Sequence, residues 1–448
     1  MLKLKAISLF SCGGIGDLAL KGLGIEVLLA NELEKERAEV FSYNFPEVEM
    51  VIGDIWENKD SITEYVKNSL QDESLDIVFA TPPCQGMSKN GRGKLLNLVR
   101  KGERPKVDPR NQLVIPAIDI FIELNAETLV MENVPEMENT LIPSSKVEGK
   151  LVSIPDYIIE RIGDEYSSSI QVIEFADYGV PQRRQRLISV FSRNKNIKNF
   201  ISKFGTIFPP KTHSKKITGS LKPWVTVRSA ISTMPALDAK TKQLAVNTDI
   251  PYHKVPLLDD DKYFWVSNTP LGKSAFDNQC VNIKCGFSEN RTHGSKHDAD
   301  GINKSNTCTP IYCEKCNTLL PRPWVREGDN FRLMKGYVSA YKRMDYDLPS
   351  SALTRNLSYA CSDNKLHPTQ NRVLSIHEAC VLHTLNKYDF SWKRRDGKKV
   401  SDKLVRELIG ESIPPYGLQQ LFDFFIGVSL GRVTTYIDNS TNQIDLIL

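Results

Sequence analysis

The sequence lacks the features that would place the chain in a membrane or outside the cell. It contains no run of 18 or more apolar residues, the length that a helix needs to cross a bilayer. Its first ten residues, MLKLKAISLF, lead straight into a strand-like pattern and carry no signal-peptide cleavage site. Repeats and low-complexity tracts are also missing. With 40% hydrophobic and 25% charged residues, the sequence predicts a globular cytoplasmic protein with no membrane partner.

Cysteines are few, and their spacing does not form a disulfide scaffold. Only two of the nine, Cys12 and Cys84, lie in the first half of the chain, whereas five crowd between Cys280 and Cys316. In a reducing compartment, such a cluster is typical of a metal site, and a lone cysteine can be a catalytic nucleophile. An isolated cysteine is more often a buried structural residue, so the position of Cys84 in the fold must decide between a structural and a catalytic role.

Acidic residues are absent from one long stretch. Between Tyr178 and Leu237 there is no Asp or Glu, while twelve Lys or Arg residues occur there in a chain whose net charge is only +4. A single-sign stretch in an otherwise balanced protein indicates contact with a polyanion such as nucleic acid. A solvated basic face would give the same pattern, so the charge alone leaves both readings open.

The first 195 residues alternate apolar strands with helical stretches. The predicted strands include LKAISLF, EVLLANEL, EMVIGDI, LDIVFATPP, TLVMENV, SIQVIEFA and RLISVFSR. This alternation predicts an α/β fold with a doubly wound, mostly parallel sheet, on which ligands bind beyond the carboxyl ends of the strands. From about residue 195 the pattern loosens into proline-rich and lysine-rich segments, which predict a smaller, loop-rich mixed domain.

The residues that suggest chemistry fall at those strand ends. Glycine-rich FSCGGIGD follows the first strand, Glu32 ends the second and Asp54 the third. An acid at this edge can bond ribose hydroxyls, and glycines let a loop approach a cofactor closely. Each acid alone could equally be a helix cap. Because the glycine-rich loop, Glu32 and Asp54 are all predicted at the same edge of the sheet, together they favour an adenosyl cofactor.

The next strands end on candidate catalytic residues. TPPCQGMS places Cys84 after two prolines that stiffen the turn, and a thiolate held in position is a good nucleophile. Glu132 ends the following strand in MENV, where it can point into the same cleft. QRRQR then presents Arg184 and Arg186 two residues apart, on one face of a strand.

The chain contains, in this order, the segments FSCGGIGD, NELEKERA, GDI, TPPCQGMS, ENV, QRRQR and GESIPP. In their order and rough spacing, these segments resemble the motifs of the cytosine-5 DNA methyltransferases of bacterial restriction–modification systems. The resemblance covers nearly the whole chain and is weakest between about residues 235 and 330. It implies methyl transfer from S-adenosylmethionine to carbon 5 of a flipped-out cytosine. Cys84 would be the nucleophile, Glu132 would engage N3 and the amine, and Arg184 and Arg186 would steady the base and the nucleophile loop.

The resemblance also implies a set of cofactor residues, and the chain differs from the family pattern at two positions. Cys12 stands where the family usually has a glycine, and Glu411 where it usually has an asparagine. The predicted cofactor residues are Phe10, Ser11, Gly14, Ile15, Gly16, Glu32, Asp54, Ile55, Pro83, Ser412 and Ile413.

Further segments divide the chain into predicted domains. YKRMDYDLPSSALTRN resembles the family element that supports the recognition domain, and HPTQNRVLSIHEACVLHTL the stretch that leads back to the catalytic domain. The prediction is a catalytic domain at 1–199, a target-recognition domain at 200–375, a connection at 376–402 and a returning C-terminal helix within 403–448.

A zinc site in the recognition domain is predicted from spacing. The pair Cys313-x-x-Cys316 is a common half-site, and Cys280-x4-Cys285 can supply the other half. Cys308, His293 and His297 compete as ligands, and free thiols in a loop are the simpler alternative.

Double-stranded DNA is the predicted partner, bound by a monomer in a bacterial, nucleoid-associated setting. A cognate restriction endonuclease acting on the same site is a further expected partner. Two alternatives stay open: an RNA cytosine methyltransferase on the same scaffold, and a non-catalytic DNA-binding protein that keeps only the fold.

Overall fold

A computed structural model describes residues 3–83, 109–297, 303–305, 308–336, 338–440 and 443–444. The helices are α1 Leu18–Gly22, α2 Lys35–Asn44, α3 Ile55–Leu70, α4 Val114–Glu123, α5 Ile154–Ile162, α6 Lys195–Phe204, α7 Val227–Ile231, α8 Asp260–Ser267, α9 Ile376–Leu382, α10 Asp402–Glu411 and α11 Pro415–Ser429. The strands are β1 Lys5–Leu9, β2 Glu26–Glu32, β3 Glu49–Ile52, β4 Ile77–Ala80, β5 Thr128–Asn133, β6 Leu141–Pro143, β7 Leu151–Ser153, β8 Ser167–Glu174, β9 Gln182–Arg183, β10 Gln185–Ser192, β11 His213–Ser214, β12 Lys222–Pro223, β13 Ser295–His297, β14 Asn303–Ser305, β15 Trp324–Glu327, β16 Asn330–Leu333, β17 Ser350–Ser351, β18 Ile437–Asp438 and β19 Gln443–Ile444.

The central sheet has seven strands in the order β3-β2-β1-β4-β5-β10-β8. Strands β1 to β5 run parallel, and β10 runs antiparallel to both β5 and β8. The strand order reverses direction between β1 and β4, and such a switch point is where doubly wound sheets bind ligands. The predicted α/β architecture and its strands are therefore confirmed.

Apolar residues form a layer on each face of the central sheet, where the inner strands β1, β4 and β5 are buried on both sides. One face packs against α1 and α11, through residues such as Leu18, Phe79 and Phe422. The other face packs against α3 and α4, through residues such as Ile62 and Phe121. In the described part of the chain, no helix is both long enough and apolar enough to span a bilayer.

A third apolar cluster lies between residues 237 and 373, around Trp265, Phe276 and Trp324. Arg372 and Glu378 form a buried ion pair where the chain passes from this cluster into α9. Arg372 donates to both carboxylate oxygens of Glu378 at 2.7 Å, and both side chains are fully buried. Burial of two charges is tolerated only when geometry and hydrogen bonding are good. The pair thus fixes where α9 begins, and α9 itself packs in the first core with Ile376 and Leu382.

Candidate active site

The loop after β1 packs so tightly that one position requires glycine. Gly14 has φ of +82°, and a Cβ there would lie 2.5 Å from the Phe45 ring and 2.8 Å from the Phe41 ring. A Cβ on Gly16 would lie 3.2 Å from Ile413 Cγ2, so the loop and the late GESIPP segment are adjacent. The structure therefore brings predicted cofactor residues from opposite ends of the sequence together at the end of β1.

Two carboxylates follow the loop along the same edge. Glu32 Oε2 accepts the backbone N–H of Cys12 at 2.8 Å, and Oε1 accepts that of Glu34 at 2.9 Å. Burial raises the pKa of Glu32, although these N–H bonds oppose the rise. Asp54 caps α3 by accepting from Trp56 N at 2.9 Å. Each carboxylate oxygen has a second lone pair, so hydroxyl and amine donors can still be accepted.

The two residues that depart from the family pattern, Cys12 and Glu411, both contact Arg37, which the sequence motifs did not identify as a site residue. Arg37 Nη1 lies 2.6 Å from Glu411 Oε2 and 3.8 Å from Cys12 Sγ. Burial alone would lower the pKa of Arg37, but the neighbouring carboxylates of Glu411 and Glu32 raise it. Burial raises the pKa of the Cys12 thiol to about 12, so it stays protonated at neutral pH. Arg37 thus ties the glycine loop to the end of α10.

Glu132 and Arg186 form an ion pair at the end of β5. Arg186 Nε lies 2.7 Å from Glu132 Oε1, and both side chains are less than one-fifth exposed. Strand register explains the contact, because Glu132 pairs with Ile188 on the antiparallel β10. Burial raises the pKa of Glu132, while Arg186 and Arg184 oppose the rise. A carboxyl group in this state can exchange a proton with a bound base.

Arg184 occupies a different environment from Arg186, although the sequence predicts them on one face of a strand. Its side chain is 1% exposed, and it donates to the backbone carbonyls of Leu353 at 2.8 Å and Gly410 at 3.0 Å. It precedes β10, which begins at Gln185. Arg184 therefore joins three distant segments of the chain, a contribution that strand periodicity did not predict.

Cys84 lies outside the described residues, but the turn leading to it is described. Thr81 Oγ1 donates to the Phe10 carbonyl at 3.0 Å, and Asn133 Nδ2 donates to the Pro82 carbonyl at 3.1 Å. The turn is therefore bonded to the glycine loop on one side and to the strand that carries Glu132 on the other. Thr81 and Asn133 lie inside the TPPCQGMS and MENV motifs, and that position is the only signal that could have identified them.

A buried histidine connects the QRRQR segment to the late GESIPP segment. Gln182 Nε2 lies 3.1 Å from His383 Nδ1, and His383 Nε2 lies 3.0 Å from Ser412 Oγ. Gln182 Oε1 in turn accepts from Leu353 N at 3.1 Å. Burial holds the pKa of His383 well below its usual range, so the ring is neutral. With Gln182 donating to Nδ1, the proton lies on Nε2 and is donated to Ser412.

Four cysteines between residues 280 and 316 come together in one group. The sulfur atoms of Cys280, Cys285, Cys313 and Cys316 all lie within 4.8 Å of one another. The Cys280–Cys316 and Cys285–Cys313 sulfur distances are 3.6 and 3.9 Å. A tetrahedral ion with Zn–S bonds of about 2.3 Å requires sulfur atoms about 3.8 Å apart. The donor set and its dimensions therefore fit zinc.

The competing ligands stand apart from this group. Cys308 is exposed and does not belong to it. His293 is buried, with Nδ1 2.8 Å from Thr309 Oγ1 and its ring stacked on Phe276. The His297 side chain is outside the described residues. Contacts with the hydroxyl and backbone N–H of Thr318 lower the pKa of Cys316 to about 6, which favours the thiolate that binds metal.

Comparison with known proteins identifies the class to which this site belongs. Residues 4–425 match the family model of C-5 cytosine-specific DNA methylases. Type II methyltransferase M1.HgaI of Avibacterium volantium is 28% identical over 427 residues, covering 93% of this chain and 97% of that protein. M1.HphI of Haemophilus parahaemolyticus is 24% identical over 416 residues, covering 92% and 84%. A solved DNMT2 mutant from Spodoptera frugiperda covers 95% of this chain and 100% of its own, at 14% identity and a TM-score of 0.49.

The fold and the family match define an S-adenosylmethionine-dependent methyltransferase. The chain belongs to the C-5 cytosine-specific DNA methylases, and it is a DNA (cytosine-5)-methyltransferase. The sequence prediction of the family is thereby confirmed, and the family is one of DNA enzymes, which disfavours the RNA alternative.

Proposed function

We propose that the chain methylates cytosine within a specific duplex DNA site and that Cys84 is its nucleophile. The observation that carries this proposal is the hydrogen bond of 3.1 Å from Asn133 Nδ2 to the Pro82 carbonyl. It ties the turn that precedes Cys84 to the strand of Glu132. Nucleophile and carboxyl group would then flank one bound base, as the reaction requires.

The chemistry follows from the nature of cytosine. Carbon 5 is a poor nucleophile until the Cys84 thiolate adds to carbon 6, and that addition is helped when Glu132 shares a proton with N3. The raised pKa of Glu132 suits this exchange, and Arg186 keeps the carboxyl group in place. The cofactor supplies an electrophilic methyl group. Loss of the carbon 5 proton and expulsion of Cys84 complete the reaction. A stacked base cannot be reached in this way, so the cytosine must be flipped out.

The residues at the switch point are those that would hold S-adenosylmethionine. Glu32 would accept from the ribose hydroxyls and Asp54 from the adenine amine, while Phe10, Ile15 and Ile55 would supply apolar contact. Gly14 and Gly16 allow the close approach, with Ser11, Pro83, Ser412 and Ile413 completing the set. Leu33, which follows Glu32 and is 61% exposed, offers an additional apolar surface for adenine. Arg184 and His383 would act by holding Gly410 and Ser412 in position.

A structural zinc ion bound by Cys280, Cys285, Cys313 and Cys316 is part of the proposal. Its support is the match of the sulfur separations to tetrahedral coordination. Four protein ligands close the coordination sphere, so the ion would stabilise the loops and take no part in methyl transfer.

The third apolar cluster, whose buried residues run from Leu237 to Val373, supports a separate target-recognition domain inside the predicted 200–375. Residues near both ends of that range, such as Ile207 and Leu353, pack in the first core with the catalytic domain that comprises 1–199. Because α9 packs in the first core, the predicted connection at 376–402 begins on the catalytic side, and 403–448 returns to it. Similarity to type II methyltransferases supports a protective role beside a restriction endonuclease that reads the same site. We propose that the enzyme acts as a monomer on DNA.

Bisulfite sequencing of DNA from cells that express the chain tests the function. Conversion-resistant cytosines confined to one sequence context are expected, and they should disappear with Cys84→Ser. Fully converted DNA from cells that contain folded protein would refute the proposal.

A further inference from the structure

A cavity of about 440 Å³ opens beside the candidate active site. It lies between the end of β8 and the segment 211–224. Its chemically notable lining residues are Glu174, Asp177, Arg183, Lys211, Lys215 and Trp224. All but the two acids belong to the acid-free stretch between Tyr178 and Leu237.

Both acids in the cavity wall already have hydrogen-bond or ion-pair partners. Asp177 accepts from Trp224 Nε1 and from Lys211 Nζ, each at 2.8 Å. Glu174 accepts the backbone N–H of Arg184 at 2.8 Å, and Arg183 lies 3.6 Å from its other oxygen. Lys211 is thus paired with Asp177. The cations that can meet a ligand are Lys215 and the half-exposed Arg183, because its contact of 3.6 Å with Glu174 does not use all five N–H donors of the guanidinium.

Arg183 is held in a position that suits an anionic, partly apolar ligand. Its side chain is 54% exposed, and its guanidinium carbon lies 5.7 Å from the centre of the Trp224 ring. Because Asp177 fixes the indole N–H, both the ring and the cation above it have a defined orientation. A phosphate can bond the exposed guanidinium, and a sugar or base can pack against the aromatic wall.

The cavity lies at the same edge of the sheet as Glu132. Gln185 on β10 pairs with Glu174 on β8, and the same β10 pairs with β5 beside Glu132. Glu132 pairs with Ile188 and Glu174 with Gln185, so the two acids are two strand spacings apart across the sheet and three residues apart along it, about 14 Å in all. A DNA strand that rises about 3.4 Å per nucleotide covers this distance in about four nucleotides.

We propose that this cavity binds one nucleotide of the DNA strand that carries the target cytosine, a few positions from the flipped base. Arg183 and Lys215 hold its phosphate, and Trp224 packs against its sugar and base. The contact fixes the position of the DNA backbone and carries no base specificity. This inference rests on the proposed function, because it takes DNA as the substrate.

The chain offers a matched control for the basic residues. Lys195 belongs to the same acid-free stretch and is exposed, but it begins α6 after the carboxyl end of β10. That end of β10 lies at the opposite edge of the sheet because β10 is antiparallel to β5. Lys195→Gln removes the same charge as Arg183→Gln without touching the cavity.

The experiment compares DNA binding by the full-length wild type, Arg183→Gln, Arg183→Lys and Lys195→Gln. The probe is a fluorescent duplex containing the site found by bisulfite sequencing, and each protein is first checked for unaltered thermal unfolding. Arg183→Gln should weaken binding about tenfold, as expected for a charge-assisted contact, and should flatten the log–log salt slope by about 0.9. Arg183→Lys should recover part of the loss, and Lys195→Gln should match the wild type.

A neutral methylphosphonate placed at successive backbone positions identifies the contact. One position near the target cytosine should weaken wild-type binding about tenfold and should have little further effect on Arg183→Gln. If no position distinguishes the two proteins, or if Lys195→Gln loses as much affinity as Arg183→Gln, the cavity does not bind the backbone. A wild type that binds no DNA at all would instead refute the proposed function.

Discussion

Replacing Glu411 with asparagine tests the contact that joins the two departures from the family pattern. Glu411→Asn removes the carboxylate that lies 2.6 Å from Arg37. Arg37 then remains close to Glu32 with no compensating charge on α10. We expect S-adenosylmethionine to bind more weakly, because Arg37 can turn toward Glu32 and compete with the ribose hydroxyls for its carboxylate.

The magnitude follows from the exposure of the pair. The Arg37 and Glu411 side chains are 24% and 29% exposed, so solvent screens part of the interaction. Exposed pairs contribute about 0.2–1 kcal/mol, and a partly buried pair lies at or slightly above that limit. A loss of about 1 kcal/mol corresponds to a roughly fivefold weaker affinity. Arg37→Gln should have a similar effect, because it leaves Glu411 with only its longer contact of 4.0 Å to Arg355 and frees the end of α10 from the glycine loop.

Calorimetric titration of the cofactor into both single variants and Arg37→Gln/Glu411→Asn completes a double-mutant cycle. The double variant should bind better than the product of the two single losses predicts, by a coupling of about 0.5–1 kcal/mol. Strictly additive losses would show that the ion pair does not support the glycine loop, and the explanation for Cys12 and Glu411 would fail with it.

Three other predictions concern the catalytic carboxyl, the core and the metal. Glu132→Gln should slow methyl transfer by about 10²–10⁴-fold with little change in DNA affinity. Single-turnover kinetics and DNA-binding titrations test this, and a variant that loses only DNA affinity would show that Glu132 has a purely positional role. Burial raises the pKa of Asp17 to about 7. The folded state therefore retains a proton that the unfolded state has lost, and stability should fall as the pH rises from about 4 to about 7; urea unfolding of Asp17→Asn should show a shallower fall. The purified enzyme should contain one zinc ion by elemental analysis, and chelation or Cys313→Ser should weaken specific DNA binding while cofactor binding persists. Metal content far below stoichiometric would refute the zinc site.

The strands and their carboxyl ends could be predicted because alternation of apolar strands and helices is a local property of the sequence. That pattern located Glu32, Asp54 and Glu132 at one sheet edge, and spacing alone grouped Cys280 and Cys285 with the later cysteine pair.

Long-range contacts could not be predicted in the same way. Arg37 meets a residue 374 positions away, and the partners of Arg184 are backbone carbonyls at 353 and 410. These contacts depend on how α9 and α10 return to the sheet, which no local period encodes. His383 could not be identified in this way either, because a histidine that directly follows an apolar helix gives no sign that its ring connects Gln182 to Ser412.

Covalent trapping on DNA tests the central claim most directly. A duplex with 5-fluorocytosine at the target position carries fluorine in place of the carbon 5 proton. Because fluorine cannot leave as a cation, turnover should stall with Cys84 bonded to carbon 6. The wild type with S-adenosylmethionine should form a complex that survives denaturing electrophoresis, and peptide mapping should locate the adduct on Cys84. Cys84→Ser, which should still bind the cofactor, should form none. A serine variant that methylates DNA at a near-normal rate, or an adduct on another residue, would contradict the account.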